Sequence, residues 1–376
     1  MEKVLSSHVG VKINEWYKMI RQFSVPDAEI LKAEVEREIE RMEEDQDLLI
    51  YYQLMCFRHQ LMLDYIKPSF DQSISALVDK IENSNHQLSG MLQYYNAFFR
   101  GMHEFSKKEY VQAIQYYKIA ERQLALVVDE IEQAEFHFKV AEAYYIMKQT
   151  HVSMHHIIKA LEIYDRYDLY KVRKIQSLFV IAGNYDDFKR YEKSLPHLHK
   201  ALDLAEEIND QRLIAKTYLN LGNTYDRQQD YIKAASFYKK GLDKMTENNE
   251  DIKPRLFFSL SWTLFKSDKT KEALEYIAKG IKSATAENNL FYKTLLNSLK
   301  TIYVDEGIEN IRKMFKGLEE KKLYPYIEEF ALSLANLYEK RNDSERVADY
   351  YRTAIEAQTE TPPPPPPPPP PNEDID

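Results

Sequence analysis

The segment ERMEEDQDLLIYYQLMCFRHQ, Glu40 to Gln60, sets one amide, Gln46, among the acids of Glu43 to Asp47, just ahead of an apolar helical run. An amide neither gives nor takes a proton at ordinary pH, yet it can hold a water molecule as donor and acceptor at once. That suits aiming a water at phosphorus in line with its leaving group. Such help suffices where the phosphoryl group sits on a labile carboxylate and another protein brings the metal and the charge stabilisation. A glutamine with this task belongs on an exposed bend with an apolar collar, for which Leu48, Leu49 and Phe57 are candidates. The plain alternative is capping: acids gather at helix N-termini because the macrodipole favours them, and Asp45 or Asp47 could cap the helix that follows. Capping alone leaves Gln46 unexplained.

Little else in the chain carries chemistry. There is no Gly-rich phosphate loop, nucleophile elbow or HExxH. His151 and His155 stand four apart in THVSMHH and could touch one metal, but no pair of carboxylates lies near them in sequence. A surface or groove role is the simpler reading, and the expectation is no metal site. His197 and His199, two apart on a helix, point to different faces. The single Cys56 excludes an intramolecular disulfide or a cysteine zinc cluster and fits a reducing compartment. A net charge of −9 argues against a nucleic-acid binder, though not against one local basic patch. The opening MEKVLSSHVGVKINEWYK lacks a signal-peptide core, and no apolar run is long enough to span a bilayer, so a soluble, cytoplasmic protein is expected.

The elements that must position these residues are helices. Only 9 Gly and 15 Pro occur in 376 residues, and ten of the prolines form the block Pro362–Pro371. An internal repeat is plain from Tyr218 to Leu242, where Tyr218, Leu221, Gly222, Tyr225, Ala234, Tyr238 and Gly241 take the tetratricopeptide (TPR) offsets. The last small residue recurs as Ala120, Ala160, Ala201, Gly241, Gly280, Gly317 and Ala354, and the central one as Gly101, Ala141, Ala182, Gly222, Ser261, Ser298 and Ala335. Small residues sit where paired helices approach, rings fill the gaps between pairs, and each pair covers the apolar face of the next. Ahead of the repeats, Val9, Ile13, Trp16, Tyr17 and Ile20 predict one amphipathic helix. A second begins at Pro26 and Asp27 with Ile30, Ala33, Val35 and Ile39 inside, and a third runs from about Leu48 to Ile66. The fold expected is all-α: a three-helix bundle over residues 1–68, a linker helix region over 69–92 beginning near KPSFDQS, about seven TPR repeats over 93–357, and a disordered polyproline and acidic tail over 358–376.

The pattern KINEWY…VPDAE…EDQDLL…FRH resembles the N-terminal bundle of the response regulator aspartate phosphatases, the Rap proteins of spore-forming bacteria, and the resemblance continues through YYNAFFRGMHEF and the repeats to about residue 357. It implies a phosphatase acting on a response regulator of the sporulation phosphorelay, or a protein that sequesters a DNA-binding response regulator without catalysis. It also implies a short, secreted and re-imported signalling peptide that binds in the TPR groove and moves the bundle. Gln46 matches the inserted catalytic glutamine, with Glu44, Asp45, Leu49 and Phe57 at the regulator interface. Asp187, in GNYDDFKRYE, matches the acid that pairs with a basic peptide residue. Asn220, in YLNLG, matches the amide that anchors the peptide backbone. No cofactor is implied for the chain itself, the Mg2+ being the regulator's; neither nucleic acid nor membrane is an implied partner. Cys56 departs from the acid common before FRH, which puts the contact beside Phe57 in doubt, and the polyproline tail is foreign to the family.

Overall fold

The computed structural model describes residues 3–66, 90–245, 252–305 and 307–360. The linker expected from KPSFDQS and the polyproline block lie outside them. Among the described residues there are seventeen α-helices and no strand beyond an isolated bridge between Val4 and Met42. They fall into two compact units that divide after Phe188. The first holds α1 (Ser6–Gln22), α2 (Val25–Ile39), α3 (Gln46–Ile66), α4 (Gly90–Ser106), α5 (Tyr110–Glu121), α6 (Glu130–Ile146), α7 (Thr150–Tyr164) and α8 (Lys171–Asp187). The second holds α9 (Tyr191–Glu207), α10 (Gln211–Arg227), α11 (Tyr231–Asp243), α12 (Lys253–Lys266), α13 (Thr270–Ala286), α14 (Leu290–Tyr303), α15 (Ile308–Glu319), α16 (Tyr324–Glu339) and α17 (Ser344–Glu360).

In the first unit, α1 buries the five residues its periodicity marks: Val9, Ile13, Trp16, Tyr17 and Ile20. Helix α2 starts as expected, with Pro26 in its first turn and Ser24 Oγ donating to Asp27 at 2.6 Å. Its inner face is different from the one expected. Ala28 and Val35 are buried and Leu31 and Ile39 pack at the edge, whereas Ile30 is 59% exposed and Ala33 faces solvent. A single helix face cannot hold both 28–31–35–39 and 30–33, and the first set contains the better-spaced apolar positions. One polar relay ties the three helices together: Trp16 Nε1 donates to His59 Nδ1 at 2.8 Å, and His59 Nε2 lies 3.0 Å from Glu29. With Nδ1 accepting, the ring proton is on Nε2 and goes to the carboxylate.

The repeat frame read from the small residues is the packing frame. All seven central small residues are buried. A Cβ on Gly101 would overlap the Tyr117 ring, and one on Gly222 would overlap the Tyr238 ring. The end-of-repeat positions are buried too, with one departure: Gly317 is half-buried, and open space surrounds the place its Cβ would take. The turns keep the same period. Lys108, Lys148, Lys189, Gln229 and Asp268 each take positive φ, from 56° to 67°, at a helix end. The next backbone N–H then reaches back five residues, as Gln149 does to Tyr144 at 2.9 Å and Asp230 to Tyr225 at 3.0 Å. A Gly222→Ala variant is expected to lose about 1–3 kcal/mol of stability, because Tyr238 is fully buried and cannot step aside. The urea midpoint measures it.

Candidate functional site

Gln46 is the first residue of α3, exposed, and its side-chain amide makes no hydrogen bond among the described residues. The backbone beneath it is held from both sides. Asp45 caps α3, its Oδ1 accepting from Leu48 N at 3.0 Å while its carbonyl accepts from Leu49 N. Upstream, Val4 N donates to Arg41 O and Glu43 N to Val4 O, both at 3.0 Å, and the Glu43 carboxylate accepts from Ser6 N at 3.0 Å. The acids of the bend thus cap two helices, Asp45 its own and Glu43 the start of α1. The result is a free amide on a fixed backbone. Glu44 and Asp47 are exposed beside it, and Leu48 and Leu49 are half-buried within one turn.

Phe57 does not join this collar. It is fully buried, lies eleven residues along α3, about 16 Å at 1.5 Å per residue, and packs edge-on against Phe99 and His103 of α4 with ring centroids 6.4 and 5.7 Å away. Distance along the axis explains the separation, not helical phase: eleven residues is close to three full turns, so 46, 50, 54 and 57 share one face, but that face is buried from Ile50 onward while Gln46 at the helix start stands exposed. Cys56, next to it, is half-buried.

The bundle is fastened to α6 by two buried carboxylates. Glu132 accepts from Tyr17 OH at 2.5 Å and Tyr94 OH at 3.1 Å, with Arg21 Nη1 at 3.4 Å. Glu135 accepts from Arg173 Nη2 at 2.8 Å, from Arg173 Nε, and from Tyr164 OH at 2.7 Å, with Arg58 Nη2 at 3.5 Å. Burial raises the Glu132 carboxyl above its usual range. For Glu135 burial acts the same way, but the Arg173 charge and hydrogen bonds overcome it and hold the group at about 2. Sequence reasoning missed both residues, since acids in the first two turns of a helix look like solvent-facing, dipole-favoured choices.

Asp187, on α8, has its carboxylate 3.0 and 3.1 Å from Lys148 Nζ, a cation of the chain itself. Asn220, in the second unit, is half-buried on α10, and its side chain makes no hydrogen bond among the described residues. One and two turns further on, Asn223 and Asp226 open onto a groove of about 570 Å3 walled by Tyr231, Phe258, Trp262, Tyr292 and Tyr326. Asp226 is paired there with Lys266 at 2.6 Å and accepts a hydrogen bond from Thr263 Oγ1 at 2.7 Å. Glu329 also opens onto it, and desolvation by the walls raises its carboxyl. Nothing in the sequence sets the aromatics of this groove apart from ordinary repeat packing.

The His151 ring lies tilted against Phe188, with centroids 4.7 Å apart, and His155 is exposed. Among the described residues no group of three or more His, Cys, Asp or Glu is placed to hold a metal, and no helix is long and apolar enough to cross a membrane. The histidine that packs inward is His156, whose Nδ1 lies 2.9 Å from that of His137. Burial lowers His137 to about 4 and His156 to about 3, and lowers His59 and His103 as well. The unfolded chain takes up these protons near its ordinary histidine value of about 6.5, so folding stability is lost as pH falls from there toward 4. Glu132 and Glu329, both raised by burial, work in the opposite sense, two groups against these four histidines and His197, which burial lowers as well. A lower urea midpoint at about pH 5 than at about pH 7 is expected.

Known proteins resemble the chain over nearly all of its length. Residues 3–64 match the model of "response regulator aspartate phosphatase H, N terminal", and residues 178–247 and 331–365 match tetratricopeptide repeat models. The chain is 53% identical to response regulator aspartate phosphatase H of Bacillus subtilis (strain 168) over 95% of its own length and 96% of the relative's. It is 46% identical to phosphatase A of the same organism, over 95% and 96%, and 38% identical to regulatory protein RapF, over 93% of each. A crystal structure of a Rap protein complexed with competence and sporulation factor aligns with a TM-score of 0.84 at 38% identity, covering 94% of this chain and 98% of that one.

Proposed function

The chain belongs to the Rap family of response regulator aspartate phosphatases, and from that premise we propose that it hydrolyses the aspartyl phosphate of a response regulator in the sporulation phosphorelay. Gln46 supplies the water's aim. Its carbonyl oxygen accepts a hydrogen bond from the water, its N–H donates to the water oxygen or a phosphoryl oxygen, and the regulator would supply the metal and charge stabilisation for the phosphoryl group. The water oxygen bonds to phosphorus, the phosphorus–oxygen bond to the aspartyl carboxylate breaks, aspartate leaves as a carboxylate that needs no proton, and the water's two protons stay with the released phosphate. The observation that carries this reading is the exposed, unbonded amide on a backbone pinned by Asp45 and Glu43. Glu44, Asp45 and Leu49 surround it as regulator contacts. Phe57 becomes a contact only when α3 parts from α4, because Phe99 and His103 cover it here.

A short signalling peptide in the groove of the repeats restrains the enzyme. Asn220 fixes the peptide backbone through both halves of its amide, and Asp187 reads a basic residue by exchanging it for Lys148. An Asn220→Ala variant is expected to bind the inhibitory peptide about tenfold more weakly, as the loss of two amide hydrogen bonds requires, read by fluorescence anisotropy of a labelled peptide. A second reading, sequestration of a DNA-binding regulator without catalysis, has support in the likeness to regulatory protein RapF. Assays with each candidate regulator at trace and at equal amounts of the chain separate the two. Catalysis acts at trace; masking of DNA binding requires equal amounts.

A further inference from the structure

Inside the first unit, where the bundle meets the repeats, lies a cavity of about 180 Å3 that the proposed chemistry does not use. Its walls are mostly apolar: Phe23 beyond the end of α1, Leu61 and Met62 from α3, Met102 and Phe105 from α4. Arg58 of α3 faces the same space. It is 2% exposed, and its Nε has no hydrogen-bond partner among the described residues. Its Nη2 reaches Glu135 Oε2 only at 3.5 Å, and that carboxylate is already taken by the fork of Arg173 and by Tyr164. The other charged groups on the wall have nearer partners, Lys139 with Glu142 at 2.7 Å and Asp64 accepting from Gln60 at 3.1 Å.

A buried guanidinium short of acceptors is costly, and a planar carboxylate is the group that matches its fork. An apolar cavity of roughly 150 Å3 accepts a benzene ring, so this one has room for a single ring or a short branched chain. We infer that the cavity binds a small carboxylate with a compact apolar body, its carboxylate on Arg58 and its hydrocarbon against Leu61, Met62 and Met102. Inorganic anions bring the charge without the apolar contact, and neutral hydrocarbons the contact without the charge; neither meets both demands. Because the walls come from the bundle and the repeats alike, an occupant also holds α3 against α4. That consequence, unlike the binding itself, rests on the function proposed above.

The test uses the full chain, titrated calorimetrically with sodium benzoate and, separately, with benzyl alcohol as the neutral counterpart. Benzoate is expected to bind saturably, one per chain, and more tightly than benzyl alcohol. Arg58→Met should weaken benzoate by about tenfold or more, the loss of a charge-assisted bidentate contact, and leave benzyl alcohol unchanged. Leu61→Phe keeps the guanidinium and narrows the cavity; it should weaken both, and it serves should Arg58→Met fail to fold. Benzoate that does not saturate, binds no better than benzyl alcohol, or is indifferent to both substitutions overturns the site.

Discussion

Gln46→Ala is expected to lower the accelerated loss of phosphate from a phosphorylated response regulator by about 10²-fold, the usual cost of removing one donor aimed at a reacting centre, while the complex still forms. The substitution touches nothing that folds the chain. Gln46 is exposed, its amide has no hydrogen bond among the described residues, and Asp45 rather than Gln46 caps α3. Surface changes of this kind stay within about 0.5 kcal/mol of the parent stability. Gln46→Glu separates the amide's role from its size. A carboxylate there could take the water's proton, but it would stand against the phosphoryl oxygens, so this variant should also be slow. Activity retained by Gln46→Glu would point to a general base and away from an aiming amide. Rates are read from labelled regulator with limiting chain, and complex formation by co-elution.

The second large effect lies in the buried network. Glu135→Ala should cost about 3–5 kcal/mol, the range for breaking a buried pair by removing one partner. It strands Arg173 and the Tyr164 hydroxyl, both fully buried, and takes from Arg58 the carboxylate its Nη2 reaches. A loss of that size is a large share of the marginal stability of a domain. The carboxylate's low pKa gives the effect a pH signature. In the wild type the stabilisation from Glu135 is present above the ordinary carboxylate value of about 4.5 and is lost as pH falls from there toward about 2; in Glu135→Ala that loss is absent. Urea unfolding followed through the tyrosine signal measures both. A shift below about 1 kcal/mol would mean that the network is wet and the ion pair screened.

The two systems differ in how much of them the sequence displays. Repeat packing is a local rule repeated. Gly222 and Tyr238 sit sixteen residues apart on paired helices, so a period near forty exposes the contact without any structure. The five buried positions of α1 follow from helical spacing in the same way. Helix α2 was harder because two overlapping apolar sets compete on fifteen residues, and which one faces inward depends on partners elsewhere in the chain. The capping of α1 by Glu43 and the fastening of Tyr17 by Glu132 join residues 37 and 115 positions apart. A carboxylate near a helix start reads as solvent-facing unless a distant tyrosine or arginine is known to meet it. Phe57 carries the same lesson: its place in the FRH motif pointed to a partner surface, whereas α4, more than thirty residues on, decides whether it is covered. Gln46 could be singled out because it breaks a local pattern; the residues around the groove could not, since aromatic side chains in repeats are ordinary packing.

The most direct test of the account is a time course of phosphate loss from a labelled, phosphorylated phosphorelay regulator, in water enriched in heavy oxygen and with the regulator in large excess over the chain. The account predicts many turnovers per chain and one solvent oxygen in each phosphate released. Phosphate loss no faster than from the regulator alone, or heavy oxygen recovered in the aspartate rather than the phosphate, would contradict an amide-aimed attack of water on phosphorus.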